Sequence, residues 1–419
     1  MKSADVRTQV AVLGGGPAGT TVATLLAQRG IDVKLFDRER FPRFHIGESL
    51  MTETWWTFER LGVLDRLKAS DFPRKYSVQF ISERGNASRP FYFFETNSHE
   101  SSGTWQVDRA EFDAMLLENA RDKGVDVRTG AEAKRVLFEG TRAVGVEVTF
   151  ADGETTTVRA DVVADATGLH ALLGRQLKLL RPDPSLRKAA LFAHFEGAYR
   201  DSGKDEGATI ILHTRGNRGW FWNIPLSRDR VSLGVVGSVG ELIKGRGRPQ
   251  EILDEEISNC PTVKERLKDS RQISAAHVVN DFSYRATRVA GDGWVLLGDA
   301  FGFIDPVYST GVFLALKSGE MAADAIVTAL EKENVCGSEL GSFGGELARA
   351  MEALRKLVCA FYTPGFSFAD FVAEHPEHRN RLVDLLTGNV FKEGITDIFR
   401  DMKGLCDLPD ERPLLATND

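Results

Sequence analysis

An α/β fold is predicted, with a Rossmann-like nucleotide-binding sheet, a second β-sheet domain and a helical C-terminal region. Three observations predict it. The apolar run Thr8–Leu13 passes directly into Gly14-Gly15-Gly16-Pro17-Ala18-Gly19 and then into a helical pattern. From about Lys188 to Val236 the chain is a succession of short strand-like runs, and after about Glu331 helical spacing takes over.

The first element is a strand, Thr8–Leu13, followed by G-x-G-x-x-G at Gly14, Gly16 and Gly19. A helix over Thr20–Arg29 ends at Gly30, and a second strand, Ile31–Phe36, runs into Asp37, 23 residues after Gly14. Gly14 permits the tight turn, Gly16 lets backbone approach a pyrophosphate, and Gly19 lets helix and strand pack closely. Asp37 can accept hydrogen bonds from an adenosine ribose. Phe41–Leu50 (FPRFHIGESL) reads as a loop entering a helix, with Glu48 and Ser49 as helix-start residues. Arg43 and His45 are either phosphate or flavin contacts, or a surface base and a satisfied histidine. Helical spacing over Trp55–Leu67 leads to Phe72–Tyr76 and an alternating strand, Ser77–Ser82. Lys75 stands where loop meets strand, and on its own reads as a solvated surface lysine.

Asp108 is the N-cap of a helix reaching about Asp122, with Arg109 in its first turn as a flavin contact or a surface ion pair. Val125–Arg128, Glu132–Phe138 and Ala143–Phe150 read as strands, with a hairpin turn at Ala151–Glu154. Another apolar strand, Asp161–Ala164, ends in Asp165-Ala166-Thr167-Gly168. Leu191–Glu196, Thr209–His213, Trp220–Ile224 and Val231–Val236 form a second sheet with Ser77–Ser82 and Pro90–Glu95. Pro249–Asp269 is helical, and Val278–Phe282 leads back to the first domain. Trp294–Leu297 is a buried strand turning at Gly298-Asp299, and a helix over roughly Val312–Leu330 opens after Ser309-Thr310-Gly311. Its free N–H groups suit an anion. The tail carries the aromatic cluster Phe361, Tyr362, Phe366, Phe368 and Phe371, either core packing or the wall of an aromatic pocket.

The glycine fingerprint lies at the N-terminus, and three glycine-bearing strand tips follow one another along the chain. That arrangement fits FAD. The expected FAD-binding domain is discontinuous, over residues 1–76, 104–187 and 274–330. A substrate-side sheet domain covers 77–103 and 188–273, and the helical region covers 331–419.

Bulk properties narrow the class. Among the 419 residues 42% are hydrophobic and 27% charged, as in ordinary soluble proteins. The formal net charge of −7 argues against nucleic acid as a partner. Cys260, Cys336, Cys359 and Cys406 have neither metal-ligand spacing nor a disulfide pattern, and read as reduced thiols of a cytoplasmic protein. No secretory leader and no apolar run of about 18 residues is present, so no membrane span is expected.

Two stretches narrow the reading further. Trp220, Trp222, Ile224 and Pro225 spell W-x-W-x-I-P, and Phe303, Pro306, Ser309 and Gly311 spell F-x-x-P-x-x-S-x-G. With the N-terminal glycines, these resemble the flavin-dependent halogenases over roughly residues 8–325. The FPRFHIGESL and FPRKYSVQF stretches are similar to the branch acting on phenols, pyrroles and carrier-tethered aromatics, and less so to the tryptophan branch. The resemblance implies an FAD domain of the aromatic-hydroxylase type. It also implies FADH2 supplied by a separate reductase, O2, and chloride or bromide converted to hypohalous acid. Lys75 matches the family's active-site lysine, which hydrogen-bonds to that acid or forms a haloamine. Ser309, Thr310 and Gly311 match the halide site, and Trp220 and Trp222 the strand that keeps substrate from flavin. The cofactor-binding set becomes Gly14, Gly16, Pro17, Ala18, Gly19, Asp37, Arg38, Arg43, Ser49, Arg109, Asp165, Gly298, Asp299, Pro306 and Gly311.

One departure stands out. The tryptophan branch has glutamate just before the S-T-G step, and this chain has Tyr308. The expected substrate is therefore a ring that activates itself, a phenol or a pyrrole, free or on a carrier protein. The expected role is halogenation in secondary metabolite biosynthesis. A flavin-dependent aromatic hydroxylase, a geranylgeranyl-reductase-like oxidoreductase and a non-catalytic flavin-binding protein are the competing readings. The first two share the fold, but a hydroxylase has no use for Lys75.

Overall fold

The computed structural model describes residues 6–95 and 97–414. The remaining residues of the three expected regions, 1–5, 96 and 415–419, lie outside the described residues. Two eight-stranded sheets organise the chain. In the first, Val6–Leu13 is flanked in parallel by Val33–Asp37 and Thr155–Asp165, with Asp126–Thr129 and Trp294–Leu296 further out. The hairpin Ala131–Glu139 and Arg142–Phe150 joins antiparallel to Thr155–Asp165. Val10 to Leu13 are fully buried, as a parallel sheet covered on both faces requires. The first helix, Pro17–Ala27, packs on the long helix Thr310–Glu331. The contact is close because Gly319 has no side chain: a Cβ there would sit 2.7 Å from the Ala18 carbonyl oxygen.

The second sheet runs Arg271–Gln272, Lys188–Glu196, Arg230–Ser238, Gly219–Pro225, Thr209–His213, Ser77–Ile81 and Phe91–Tyr92. Its two faces are read by residue parity. Ala190, Phe192, Ile211, Trp220 and Trp222 join the main core. Ala189, Leu191, Leu212, Phe221 and Leu233 face a separate cluster with Ile252 and Leu253 of the helix Pro249–Asn259. Trp222 lies across Gly234 of the neighbouring strand, where a Cβ would come within 2.2 Å of the indole. A small sheet of Leu180–Pro182, Tyr284–Ala286 and Gly302–Phe303 links the layers, and Arg74–Lys75 pairs with Thr104–Trp105. The C-terminal region contains the helices Gly344–Phe361, Phe368–Glu374 and Arg379–Thr387.

Five expectations are corrected. Glu48 and Ser49 do not start a helix; Ser49 forms an extended bridge to Gln106, and the helix begins at Thr54. The Trp55–Leu67 helix breaks at left-handed Gly62 (φ 74°). The Pro249–Asp269 helix breaks at Cys260, because Pro261 has no N–H to continue the ladder and pushes the residue before it out of the α region. Pro90–Glu95 is strand only at Phe91–Tyr92, then a 3₁₀ turn. His277–Asn280 does not return to the first sheet but pairs with Ala189–Phe192 of the second. Among the described residues no helix is long and apolar enough to cross a membrane, and all four cysteines are free.

Candidate active site

The glycine turn opens a cleft of about 420 Å³. Gly14 adopts φ 104°, and a Cβ there would lie 2.3 Å from the Ala166 carbonyl oxygen. A Cβ on Gly19 would strike the Gly14 carbonyl oxygen at 1.9 Å. Gly16 is different: the nearest atom to a Cβ there is Arg43 Nη2, at 3.7 Å. Its openness is on the cleft side, at the start of the helix Pro17–Ala27, whose N-cap supplies no side-chain hydrogen bond. Unfilled helix N–H groups facing open space favour a phosphate. Asp37 Oδ2 accepts from Gly15 N–H at 2.6 Å, Oδ1 accepts from Glu39 N–H at 2.8 Å, and the residue lines the cleft. Pro17, Ala18, Arg38 and Asp299 line it too.

Arg109 and Arg43 both reach the cleft, and both are held by Asp113. Arg109 donates to Asp113 through Nε (2.7 Å) and Nη2 (3.0 Å), and to the Ile46 and Gly47 carbonyls through Nη1. Arg43 Nη1 donates to Asp113 Oδ2 at 3.0 Å. This buried ion triad ties the loop around His45 to the helix Arg109–Asp122. Arg109 is buried, not the surface ion pair that its sequence position also allowed. Burial and the neighbouring guanidinium of Arg109 lower His45 to about 4, so its ring is neutral near pH 7. Burial pushes the Asp299 carboxyl up to about 6, against the pull of Arg109.

A second, mostly apolar cavity of about 140 Å³ adjoins the cleft, sharing His45, Gly47, Asp299, Phe303 and Gly311 with it. Trp220 and Trp222 form one wall, as their shared strand face dictates. Phe192, Ile211 and Phe282 add to it, and its polar members include Glu48, Ser49, Thr209 and Ser309. Among the described residues neither cavity is lined by a cysteine or a methionine.

Lys75 lines neither cavity; it is only 2% exposed. Its Nζ donates to Ser49 Oγ at 2.9 Å and to the Leu50 carbonyl at 3.0 Å, with the Phe93 ring 5.6 Å away. Ser49 Oγ also shares a hydrogen bond with Thr209 Oγ1, which accepts from Gln106 Nε2 at 2.8 Å. The amine therefore sits one hydroxyl behind the cavity. Burial lowers it to about 7, because a low-dielectric site disfavours the ammonium.

The segment before the long helix is anchored by Asp305. Its Oδ2 accepts from Tyr362 Oη at 3.0 Å, and Trp220 Nε1 donates to the same Tyr362 Oη at 2.9 Å. Burial pushes Asp305 to about 6. Ser309 caps the helix in the left-handed region (φ 59°), a conformation costing a non-glycine residue roughly 1–2 kcal/mol. The Tyr308 hydroxyl is buried without a hydrogen-bond partner, and burial holds it protonated well above its ordinary value.

Several residues expected in the cofactor set are placed elsewhere. Asp165 lies outside the cleft lining, and its carboxylate is occupied in its own turn by Thr167 N–H, Thr167 Oγ1 and Leu173 N–H. Gly298 (φ 52°) is buried and makes room for Ala18 and Ala315. Gly19 likewise serves packing. Ser49 and Pro306 line the second cavity, not the cleft. Of the halide set, Ser309 and Gly311 line the cavity, and Thr310 is buried outside both linings. Sequence reasoning missed the pair of Glu48 with His194, whose Nε2 lies 2.6 Å from Glu48 Oε1, and the Asp305–Tyr362–Trp220 chain. Asp305 stood within the halide-loop motif and Tyr362 within the aromatic cluster of the tail, but neither signalled their bond; nothing near His194 signals a site.

The open Gly16 cradle, the bare helix start and the ribose-side carboxylate of Asp37 fit an FAD pyrophosphate and its sugar. The family described as FAD binding domain matches residues 7–333. The chain is 29% identical to the 1H-pyrrole-2-carbonyl peptidyl-carrier-protein chlorinase of Pseudomonas fluorescens, covering 94% of this chain and 92% of that protein. It is 32% identical to the corresponding brominase of Pseudoalteromonas luteoviolacea, covering 91% and 92%. It is 33% identical to a tryptophan 2-halogenase of Chondromyces crocatus, covering 78% and 62%. Among solved structures it resembles a flavin-dependent brominase (TM-score 0.86, 28% identity, 96% and 98% covered). It also resembles the myxobacterial chondrochloren halogenase (TM-score 0.79, 30% identity, 95% and 97% covered).

Proposed function

We propose, since this chain belongs to the flavin-dependent halogenases, that it halogenates a pyrrolyl or similarly electron-rich ring carried on a carrier protein, with Lys75 delivering the halogen. The enzyme uses FAD, O2 and chloride or bromide, as its family does. Bound and reduced, the flavin would supply two electrons to O2, which is the oxidant that takes halide to hypohalous acid. A flavin reductase is the partner that keeps it reduced. The carrier-bound pyrrole comes from what the chlorinase and brominase relatives act on.

The observation that carries the Lys75 assignment is its buried amine, lowered to about 7 and one hydroxyl behind an apolar cavity that adjoins the cleft. A neutral amine is a nucleophile, where an ammonium is not. Its nitrogen takes the halogen from hypohalous acid: the N–X bond forms, the O–X bond breaks, and the hydroxide leaves as water with an amine proton. The ring then takes the halogen as the N–X bond breaks, and the nitrogen recovers a proton through Ser49. Ser309 and the N–H groups that open the long helix hold the halide. Trp220 and Trp222 separate the ring from the cleft.

The test supplies enzyme with a flavin reductase, NADH, O2 and bromide, and a pyrrole-2-carbonyl carrier protein, with product mass as readout. Wild type should add bromine; Lys75→Ala should lose at least about 10²-fold in bromination while binding FAD and consuming O2 normally. Bromination by Lys75→Ala at the wild-type rate would remove Lys75 from the mechanism. A hydroxylated product from wild type would point to hydroxylation instead.

A further inference from the structure

After the halogen bonds to a ring carbon, that carbon still holds its hydrogen and the ring is a cation. A base must take the proton. Tyr308 is no base, since its hydroxyl stays protonated.

Glu48 has the required features. It is 1% exposed, lines the apolar cavity, and directly precedes Ser49, which holds Lys75. One carboxylate oxygen, Oε1, is engaged by His194 Nε2 at 2.6 Å. The other, Oε2, is buried with no hydrogen-bond partner. A carboxylate oxygen left bare in a dry site is costly, and such groups persist where chemistry uses them. His194 comes from a different element, the strand Lys188–Glu196. Burial opposes its positive charge, but the Glu48 carboxylate raises it above its ordinary value. Its ring packs 5.5 Å from that of half-exposed Phe44 and its side chain is about one-tenth exposed, so solvent reaches its edge. Asp108 and Arg230, paired with each other at 2.7 Å, are the other charges that act on it.

We propose that Glu48 is the catalytic base that takes the proton from the halogenated ring carbon, and that His194 passes that proton on to water. The proposal rests on the halogenase chemistry above. The ring C–H bond breaks, its electron pair restores aromaticity, and the proton goes to Glu48 Oε2. As Glu48 becomes neutral, the imidazole bonded to Oε1 through Nε2 loses the carboxylate's support for its positive charge and gives a proton to solvent from its other nitrogen, so the pair sheds one proton to water for each one it takes from the ring. Lys75 draws its replacement proton from the same solvent, so the sum is hypohalous acid plus ring giving halogenated ring plus water.

The test compares ring-protio and ring-deuterio pyrrole-2-carbonyl carrier protein in the bromination assay. In wild type, loss of the ring proton is fast and the deuterium effect on kcat stays near unity. Glu48→Gln should lower kcat about 10²-fold and bring out a ring-deuterium effect well above unity, with FAD binding by flavin fluorescence unchanged. His194→Asn keeps the carboxylate and removes its proton exit; it should fall less and show a deuterium effect in the same direction. If Glu48→Gln brominates at the wild-type rate, or is slow without a deuterium effect, the proposal is overturned. If that variant fails to bind FAD, His194→Asn decides, and the absence of a deuterium effect there overturns it. Absence of brominated product from wild type is a separate result, which removes the carrier-bound substrate reading itself.

Discussion

Lys75 illustrates how one residue changes meaning with its surroundings. In sequence it follows Arg74 at the mouth of a strand and looks solvated; in the fold it is walled in by Ser49, Leu50 and Phe93. Its proton is lost near pH 7, not at the ordinary value of 10.5. The neutral, nucleophilic fraction therefore grows as pH rises through about 7. Bromination kcat should climb up to about tenfold per pH unit below 7 and level off above it. Lys75→Arg should not restore it, because a guanidinium stays charged. A stopped-flow pH series on the carrier-bound substrate checks this, and a flat profile would contradict it. Between about 7 and 10.5 the unfolded chain holds a proton that the folded chain lacks, so this group's destabilising effect fades as pH rises across that window.

At the scale of elements, the three fingerprint glycines divide into two kinds. Gly14 and Gly19 are fixed by contacts inside the protein, since a side chain at either would overlap backbone. Gly16 has extended backbone (φ −76°, ψ −175°) that any residue adopts, and a Cβ there would meet nothing nearer than Arg43 Nη2 at 3.7 Å. Gly16→Val should fold with an unchanged apo melting temperature and lose the stabilisation that FAD gives, about 2.7 kcal/mol at 100 times Kd for wild type. Gly14→Ala should lower the apo melting temperature itself. Differential scanning fluorimetry with and without FAD separates the two, and equal behaviour would refute the division. This turn was fully legible in sequence, because strand, glycine triplet, helix and acid are contiguous. So was the parity of the Trp220 strand. Gly62 and Pro261 mark the two helix breaks in the sequence, but the helical spacing of apolar residues runs on past both. Asp165 and Gly298 carried the expected strand-tip signature, yet local turn bonds and helix packing claim them.

Across the whole molecule, the region that sequence reads least well does the joining. Tyr362, from the C-terminal helices, binds Trp220 of the second sheet and Asp305 of the loop before the long helix. These three residues are 57 or more positions apart, and no local pattern announces such a meeting. Tyr362→Phe would leave a buried indole N–H and a carboxylate oxygen bare, costing about 1–3 kcal/mol. Urea unfolding should show a lower midpoint at unchanged slope. Bromination should fall as Trp220 and the helix start lose their shared support, and an unaltered midpoint would show the link to be dispensable. The Glu48–His194 pair was hidden for the same reason: its members lie 146 residues apart.

The lining of the two cavities has one more consequence. Thiols and thioethers are the side chains an oxidising halogen consumes most readily, and none borders either cavity among the described residues. The passage is corrosion-resistant by composition. The most oxidisable carbon left in the apolar wall is the indole of Trp220 and Trp222, so wear should accumulate per molecule of oxidant handled, not per hour of storage. The working life of this enzyme is then a number of turnovers, and the first scars should appear on Trp220 and Trp222.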